Sequence, residues 1–509
     1  MVDTSQQAEA EAFKNQGNEQ LKKKNYDKAI DFYTKAINLN ATAVYYANRA
    51  QAQIKHENFG LALNDANDAI RLDPDYLKGY YRRAVAHSGM LEYKKSLKDV
   101  DTVLSHAPGD KNAQSLKKNL AKVVNRIRFE KAIQVDEDGK SVFDEIDYES
   151  MVSTEENGLE LKIHVENTTK GSSKQIVTVE MTEKYIEKMI EVFKNGGTLP
   201  KRQAYAIVAA TKELFHKEKA LVEIGIPRKA TADSGEFQYR PVKKITICGD
   251  THGQFYDVLH IFETFGKLNE EHSYLFNGDF VDRGSWSCEV AFLLYSLKLL
   301  YPKNVYIDRG NHETDDMNQV YGFQDEVKAK YTDRLFKCFS ESFNSLPYCT
   351  LIGQEYLVMH GGLFSSDDVT LDDLRNIDRF KHRQPPKEGI EMELLWTDPQ
   401  PEPGRGPSKR GIGLQFGPDV TKKFCDSNHL KMVIRSHEVR DGGYEIEHDG
   451  RLVTVFSAPK YCDSQSNLGA VINLTLNDKE EYEEEFKTFE AVSHPDIPPM
   501  AYCKSNLGF

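Results

Sequence analysis

Five apolar stretches of this chain each run straight into side chains that bind metals. The first is Ile245-Thr246-Ile247-Cys248-Gly249-Asp250-Thr251-His252, and Gly278-Asp279-Phe280-Val281-Asp282-Arg283 is the second. Arg309-Gly310-Asn311-His312-Glu313, Val358-Met359-His360-Gly361-Gly362 and Val433-Ile434-Arg435-Ser436-His437-Glu438 complete the set. In an open α/β sheet, ligand sites form beyond the carboxyl ends of the strands. Asp, Asn and His delivered there from five strands converge in one place. The pattern outlines a two-metal hydrolytic site on an α/β domain. A lone Asp after a strand usually caps a helix, and a lone buried His usually only hydrogen-bonds; six such residues at five strand ends argue for ligation.

That domain needs only part of the chain. At 509 residues the sequence exceeds what one core serves, so two or more domains are expected. The formal net charge of -13 argues against a general nucleic-acid or membrane-surface binder. No run approaches the ~18 apolar residues of a membrane span; Leu293 to Tyr301 is broken by Tyr295, Ser296 and Lys298. The start, Met1 to Gln7, lacks the basic flank and apolar stretch of a signal peptide. Seven cysteines without a Cys-x-x-Cys pair fit reduced thiols, hence a cytoplasmic and nuclear location.

The first quarter repeats itself. Tyr26-Asp27-Lys28-Ala29-Ile30, with Tyr33, Ala36 and Ile37, recurs as Phe59-Gly60-Leu61-Ala62-Leu63, with Ala66, Ala69 and Ile70. It returns as Tyr93-Lys94-Lys95-Ser96-Leu97, with Val100, Val103 and Leu104. The period, roughly 34 residues, is that of tetratricopeptide (TPR) helix–turn–helix repeats. Small residues at Ala29, Ala62 and Ser96 let paired helices approach, and Pro74 and Pro108 stop the second helices. Three copies suffice for a continuous core. A further amphipathic helix with Leu116, Leu120, Val123 and Ile127 on one face caps the stack.

Lys14 and Asn18 are spaced four apart on one helix of this array, as are Lys78 and Arg82, so each pair shares a face, and Asn48 occupies the equivalent helix between them. Together they present cations and amides suited to gripping carboxylates. The set resembles the carboxylate-clamp TPR domains that bind the C-terminal Met-Glu-Glu-Val-Asp of heat-shock protein 90, and it matches all five clamp positions. The run Lys22-Lys23-Lys24 reads as solvated surface.

After about residue 134 the texture changes. Asp136-Glu137-Asp138-Gly139 breaks the helix, and an acidic stretch continues to Glu156. Leu159, Leu161, Ile163 and Val165 then alternate with polar residues as in a half-buried strand. A helix from about Glu183 buries Ile186, Met189, Ile190 and Phe193 and ends at Gly196-Gly197. The expected division is an N-terminal tail (1–8), a TPR domain (9–134), a linker (135–180), a catalytic domain (181–490) and a C-terminal regulatory tail (491–509).

The five metal-ligand motifs resemble the PPP family of metal-dependent phosphoprotein phosphatases, and the array in front marks a TPR-containing member. The resemblance implies an all-α repeat array followed by an α/β metallophosphoesterase domain, a central β-sandwich flanked by helices. It implies that Asp250, His252 and Asp279 bind one metal, that Asn311, His360 and His437 bind the second, and that Asp279 bridges them. Donors of this kind suit Mn, Fe or Zn without choosing among them. Two ions ~3.5–4 Å apart would hold a hydroxide that attacks phosphorus in line. Arg283 and Arg410 offer guanidinium forks to the phosphoryl oxygens, with Asn311 and Tyr461 as further substrate positions. His312 protonates the departing serine or threonine oxygen, and Asp282 orients its ring. Arg309 reads as structural, Trp286 and Trp396 as packing residues, and Glu480 to Glu485 as a solvated face.

Two positions depart from the family pattern. Lys460 stands where Asn is usual in Ser457-Ala458-Pro459-Lys460-Tyr461-Cys462, and Asp308 stands where an apolar residue is usual. Each introduces a charge close to the site. The resemblance further implies a monomer acting on phosphoproteins, blocked by its own TPR array with help from the segment around Pro499-Met500-Ala501-Tyr502, and released when a chaperone tail fills the clamp. Two other readings compete: another two-metal phosphoesterase, such as a nuclease, and a co-chaperone scaffold with a decayed catalytic domain. The loops Leu363-Phe364 and Ser457-Ala458-Pro459 oppose the first; the intact ligand set, His312 and Asp282 oppose the second.

Overall fold

The computed structural model describes residues 4–134, 141–148, 150–151, 158–167, 175–225 and 242–503. The acidic break Asp136-Glu137-Asp138-Gly139 and residues 152–156 of the acidic stretch lie outside them. Two compact units result. One comprises the described residues before 140 together with the loop Pro407–Leu414, and the other holds the remaining described residues up to 504.

The first unit is a run of antiparallel helices: α1 (Thr4–Lys22), α2 (Tyr26–Leu39), α3 (Ala43–Lys55), α4 (Phe59–Leu72), α5 (Leu77–Gly89), α6 (Tyr93–His106) and α7 (Lys111–Gln134). Ala29, Ala62 and Ser96, the small residues of the repeat, are fully buried, and Ser96 donates to the Ala84 carbonyl at 2.6 Å. α4 and α6 stop two residues before Pro74 and Pro108. Leu116, Leu120 and Val123 bury one face of α7. A second periodic feature accompanies the apolar one. Arg49 grips Asp65 with two hydrogen bonds of 2.9 and 2.7 Å, and Arg83 grips Asp99 with two of 2.8 Å. Positions 49 and 83, like 65 and 99, differ by 34, so each ion pair is a copy of the other in successive repeats.

The second unit opens with an antiparallel hairpin, β1 (Lys162–Asn167) and β2 (Gln175–Glu180). β1 starts later than the alternation from Leu159 suggests, because the Leu159 carbonyl accepts from the Gln203 amide at 2.8 Å instead of joining a ladder. Then come α8 (Glu183–Lys194), with Thr182 capping its first turn, and α9 (Lys201–Lys217). The chain continues through β3 (Leu221–Ile224), β4 (Lys244–Cys248), α10 (Phe255–Phe265), β5 (His272–Asn277), α11 (Ser287–Leu300) and β6 (Val305–Asp308). Helices α12 (Asp315–Tyr321), α13 (Phe323–Lys330) and α14 (Asp333–Phe343) precede β7 (Cys349–Ile352) and β8 (Tyr356–Met359). After them come α15 (Leu371–Arg375), α16 (Ile390–Trp396), β9 (Asp398–Pro399), β10 (Arg405–Pro407), β11 (Leu414–Phe416) and α17 (Pro418–Ser427). The last strands are β12 (Met432–Arg435), β13 (Tyr444–Glu447), β14 (Leu452–Val455), β15 (Gly469–Leu476) and β16 (Tyr482–Phe489).

Two mixed sheets form the centre, in the orders β16-β15-β4-β5-β6 and β13-β14-β12-β8-β7-β3. Strands β4, β5 and β6 are mutually parallel, as are β8, β12 and β14. Ile245, Ile247, Leu275 and Ile472 of the first sheet share a core with Val358, Ile434 and Val453 of the second. On the opposite face of the first sheet, Tyr274, Phe276 and Ile307 pack with α8, α9, α11 and α14. The period-two alternation within β5, Leu275 one way and its neighbours the other, therefore holds the sandwich and the helical layer together. The five metal-ligand motifs do not end strands of one open sheet. They end β4, β5 and β6 of one sheet and β8 and β12 of the other, so the site spans one end of a sandwich.

The repeated ion pairs give a test of the helical unit. Asp99 is only 6% exposed, so Arg83→Ala leaves a buried carboxylate without its main partner. A loss of about 3 kcal/mol is expected, because breaking a buried pair strands the remaining charge. Urea unfolding followed by far-ultraviolet circular dichroism measures it, and the Arg49→Ala variant should behave alike.

Candidate metal centre

Asp250 follows β4, Asp279 follows β5, Asn311 follows β6, and His360 and His437 follow β8 and β12. All five, with His252, are buried. His252 Nδ1 meets the Val281 carbonyl at 3.1 Å and His360 Nδ1 meets that of Asn277 at 2.9 Å. Each ring therefore keeps its proton on Nδ1 and turns the Nε2 lone pair inward. His252 Nε2 lies 3.7 Å from both Asp250 Oδ2 and Asp279 Oδ2. His360 Nε2 lies 2.9 Å from Asn311 Oδ1, 3.2 Å from His437 Nδ1 and 3.3 Å from Asp279 Oδ2. Asp279 is common to two ligand groups, one with His252 and His312 and one with His360 and His437. The Asn311 amide can turn either end inward: its nitrogen would reach His360 at 2.9 Å and Asp279 at 3.0 Å. Ligation requires the oxygen, and with it inward the pocket holds only lone pairs. Such a donor set fits a pair of cations.

The backbone bends sharply to achieve this. His252, Asp279, Asp282, Arg283 and His437 all have φ between 41° and 72°, a region that side-chain-bearing residues seldom occupy. Hydrogen bonds hold them there. The Asp279 carbonyl accepts from the amides of Thr251 (3.1 Å) and His252 (2.9 Å). Asp279 Oδ1 accepts from His312 N at 2.8 Å, and Asp250 Oδ1 from His437 N at 3.1 Å. Glu313 accepts from the amides of Asp279, Phe280 and Gly310 at 2.8, 3.0 and 2.8 Å. A Cβ at Gly310 would fall 2.2 Å from Asp279 Oδ1, so only glycine lets this turn close. Sequence reasoning gave Glu313 no role. Its only signal is adjacency to His312, and an acid there reads equally well as surface.

Burial dominates the electrostatics. It pushes Asp250 up to about 7, against His360 and with help from Asp279, and raises Glu313 to about 8. It drives His252 well below the ordinary histidine range, with His312 and Arg283 adding to the effect, and lowers His360. The pocket's own groups thus favour their neutral forms, and cations held there would invert that balance by favouring carboxylates.

Beside the ligands, His312 Nδ1 and Asp282 Oδ2 are 2.8 Å apart, and His312 Nε2 is 4.0 Å from Asp279 Oδ2. Asp282 also accepts from Asn318 Nδ2 at 2.9 Å and from Phe323 N at 2.8 Å. Burial pushes its carboxyl up to about 7, while those two donors and Arg283 favour the anion. The Arg283 guanidinium sits 3.8 Å from the Tyr321 ring, whose centroid is 5.1 Å from His312. The Tyr461 ring lies 5.2 Å from His252. Arg410 lies in the loop Pro407–Leu414, grouped with the helical unit; its amide donates to Ser408 Oγ at 3.1 Å. Arg309 is buried and donates to the Glu313 carbonyl (3.1 Å) and Asn344 (3.0 Å), a structural arrangement. Trp396 lies edge-on to His437 at 5.7 Å.

In the helical unit, Asn18 Oδ1 accepts from Asn48 Nδ2 at 3.4 Å and from Tyr33 OH at 2.8 Å, so the two amides meet. Lys14 ion-pairs with Glu11. Lys78 and Arg82 lie on α5. Burial lowers Lys55 from its ordinary value, with Arg82 and Lys24 adding their charges.

Neither family departure sets a bare charge at the centre. Lys460 is largely exposed, 3.9 Å from Asp463 Oδ1. Asp308 is fully buried; Oδ1 accepts from Thr350 at 2.8 Å, and Oδ2 has no hydrogen-bond partner among the described residues. Burial pushes its carboxyl well above the ordinary range, Thr350 and Lys298 opposing and Glu218 adding. The folded state thus holds a proton that the unfolded state releases above about pH 4. Stability then falls as pH rises from there through the folded value. Asp308→Asn removes this cost. We expect thermal midpoints to coincide near pH 4 and the variant to melt higher at pH 7.5, by roughly 2–4 °C per kcal/mol recovered, as read by calorimetry.

The calcineurin-like phosphoesterase family matches residues 243–441. A tetratricopeptide repeat matches 10–42, and a family described as the PPP5 TPR repeat region matches 117–223. The chain is 50% identical to serine/threonine-protein phosphatase T of Aspergillus oryzae over 98% of both chains. It is 45% identical to human serine/threonine-protein phosphatase 5 over 98% of this chain and 94% of that one. A solved Saccharomyces cerevisiae protein serine/threonine phosphatase, similar to human phosphatase PP5, aligns with 52% identity and a TM-score of 0.58. That alignment covers 63% of this chain and all of the other.

Proposed function

This chain belongs to the family of serine/threonine-protein phosphatases named 5 and T, and we propose that it hydrolyses phosphoserine and phosphothreonine at the centre built from Asp250, His252, Asp279, Asn311, His360 and His437. Asp250, His252 and Asp279 would hold one ion, and Asn311, His360 and His437 the second, with Asp279 shared. Two such ions supply a hydroxide nucleophile at neutral pH and neutralise phosphoryl charge. The chain's own groups do the rest. Arg283, braced on Tyr321, presents a planar fork to the phosphoryl oxygens, and Asn311 and Tyr461 are proposed as further phosphate-binding groups. Arg410 is a further proposed phosphate ligand. Asp282 holds His312 by Nδ1, so the proton on Nε2 faces the pocket and passes to the departing alkoxide. The His312–Asp282 pair carries this reading, because it sets a general acid against the ligand cluster. His312→Ala should lower kcat on a phosphoserine peptide by roughly 10²–10⁴-fold, with bound-metal content unchanged by elemental analysis. Normal turnover in that variant would remove His312 as the acid.

We further propose that the TPR array covers the catalytic groove at rest, and that Lys14, Asn18, Asn48, Lys78 and Arg82 recognise the heat-shock protein 90 tail Met-Glu-Glu-Val-Asp and relieve the block. The mutual contact of Asn18 and Asn48, and the crowding of Lys55 by Arg82 and Lys24, support a surface that gains by taking in an anion. A monomer in the cytoplasm and nucleus suits seven cysteines of which none is joined in a disulfide. Two measurements check the regulation. Removing residues before Gln134 should raise peptide turnover severalfold. Lys78→Ala should lose calorimetric binding of the pentapeptide and the rise in turnover that it causes. Equal rates for truncated and full-length protein would discard autoinhibition.

A further inference from the structure

The segment after β16 returns to the loops that carry Arg283 and Tyr461. Val492 N donates to Asp257 Oδ1 at 2.9 Å, Ser285 Oγ to the Pro498 carbonyl at 2.7 Å, and Met500 N to the Arg283 carbonyl at 2.8 Å. Between these anchors stands His494. Its Nε2 lies 3.1 Å from Asp463 Oδ1 and its Nδ1 2.8 Å from the Pro495 carbonyl. Both nitrogens thus face acceptors. A neutral imidazole has one N–H and satisfies one of them; the imidazolium satisfies both. The ring rests on Trp286, 5.1 Å away, and near Tyr256, at 6.5 Å. Trp286 caps α11 just beyond Arg283-Gly284-Ser285, so one imidazole touches the shoulders of both substrate loops.

The Tyr461 turn needs such a hold. Lys460, Cys462 and Asp463 have φ of 48°, 52° and 52°, so three residues around Tyr461 sit in the left-handed region. From within, Asn467 Oδ1 accepts from Tyr461 N at 2.9 Å. From outside, the turn is met by His494. We infer that His494 is a positioning residue: its bond to Asp463 latches the 490–503 segment onto the strained turn and so fixes the Tyr461 ring against His252. The inference rests on the phosphatase reading only for the use made of Tyr461.

The latch should respond to pH. The groups facing His494 are Asp463 from the turn, with Lys460 behind it, and Asp257 and Tyr256 from α10, with His260 next to Asp257; Trp286 is uncharged. Burial alone would lower the imidazole, but the Pro495 carbonyl, Asp463 and Asp257 outweigh it and raise it above its ordinary value. The bond is therefore strongest while the ring is charged and weakens as pH rises through that raised value.

The test uses the full chain as wild type, His494→Ala, Asp463→Asn and the double variant, each assayed on a phosphoserine peptide from about pH 6 to pH 9. The single variants should raise KM roughly fivefold with kcat nearly unchanged, and the double variant should be no worse than either single. The alkaline fall in kcat/KM should vanish in His494→Ala. Independently of turnover, the ring resonances of His494 should titrate at lower pH in Asp463→Asn than in wild type. Superimposable pH profiles, additive losses in the double variant, or an unchanged His494 titration would each overturn the latch. If wild type failed to hydrolyse the peptide at all, the phosphatase reading would fall, while the His494 titration would still decide the latch.

Discussion

Six donor side chains converge with their lone pairs directed at one another, almost out of reach of water. Asn311 Oδ1, His437 Nδ1 and Asp279 Oδ2 all stand within 3.3 Å of His360 Nε2. Left to themselves, such groups are kept neutral chiefly by burial and secondarily by mutual repulsion, as the raised Asp250 carboxyl and the lowered His252 imidazole indicate. Positive charge placed among them converts that repulsion into ligation. The surrounding architecture can be understood as what is needed to hold this unfavourable arrangement ready.

Much of the holding is done by backbone hydrogen bonds to carboxylates. Asp279 and Asp250 each spend one oxygen on a neighbouring loop amide, which leaves the other for the pocket. Glu313 gathers three amides from two loops and lets the turn at Asp279 keep its left-handed conformation. Asp282 serves likewise for Phe323 and Asn318 while orienting His312. In each case a buried acid offsets backbone strain, and the same bond that relieves the strain aims a reactive group.

Recognition of these features from sequence depended on periodicity and adjacency. The TPR array was legible because a roughly 34-residue period repeats small and apolar residues in register, and the helix ends before Pro74 and Pro108 followed from proline chemistry. The Arg49–Asp65 and Arg83–Asp99 pairs repeat with the same period, yet charged residues on helices ordinarily read as solvated. The ligand residues were legible because each sits at the end of an apolar run. Glu313 was not, since two of its three partners, the Asp279 and Phe280 amides, belong to a loop that meets it only after folding. Asp308 misled for a related reason: a carboxylate next to the centre suggests a charge, but full burial favours its neutral form.

The sequence by itself determined which segments become helices or strands and which donor atoms reach the strand ends, because both depend on local spacing and side-chain chemistry. It did not determine that β4, β5 and β6 lie in one sheet and β8 and β12 in the other, since strand partnership is set by long-range packing of Ile247, Leu275, Val358 and Ile434 in a shared core. Nor did it reveal that His494, Asp463 and Trp286 meet. Distances of a few ångströms between residues far apart in the chain arise only when the two sheets close on one another, and the chemistry of this site depends on those distances.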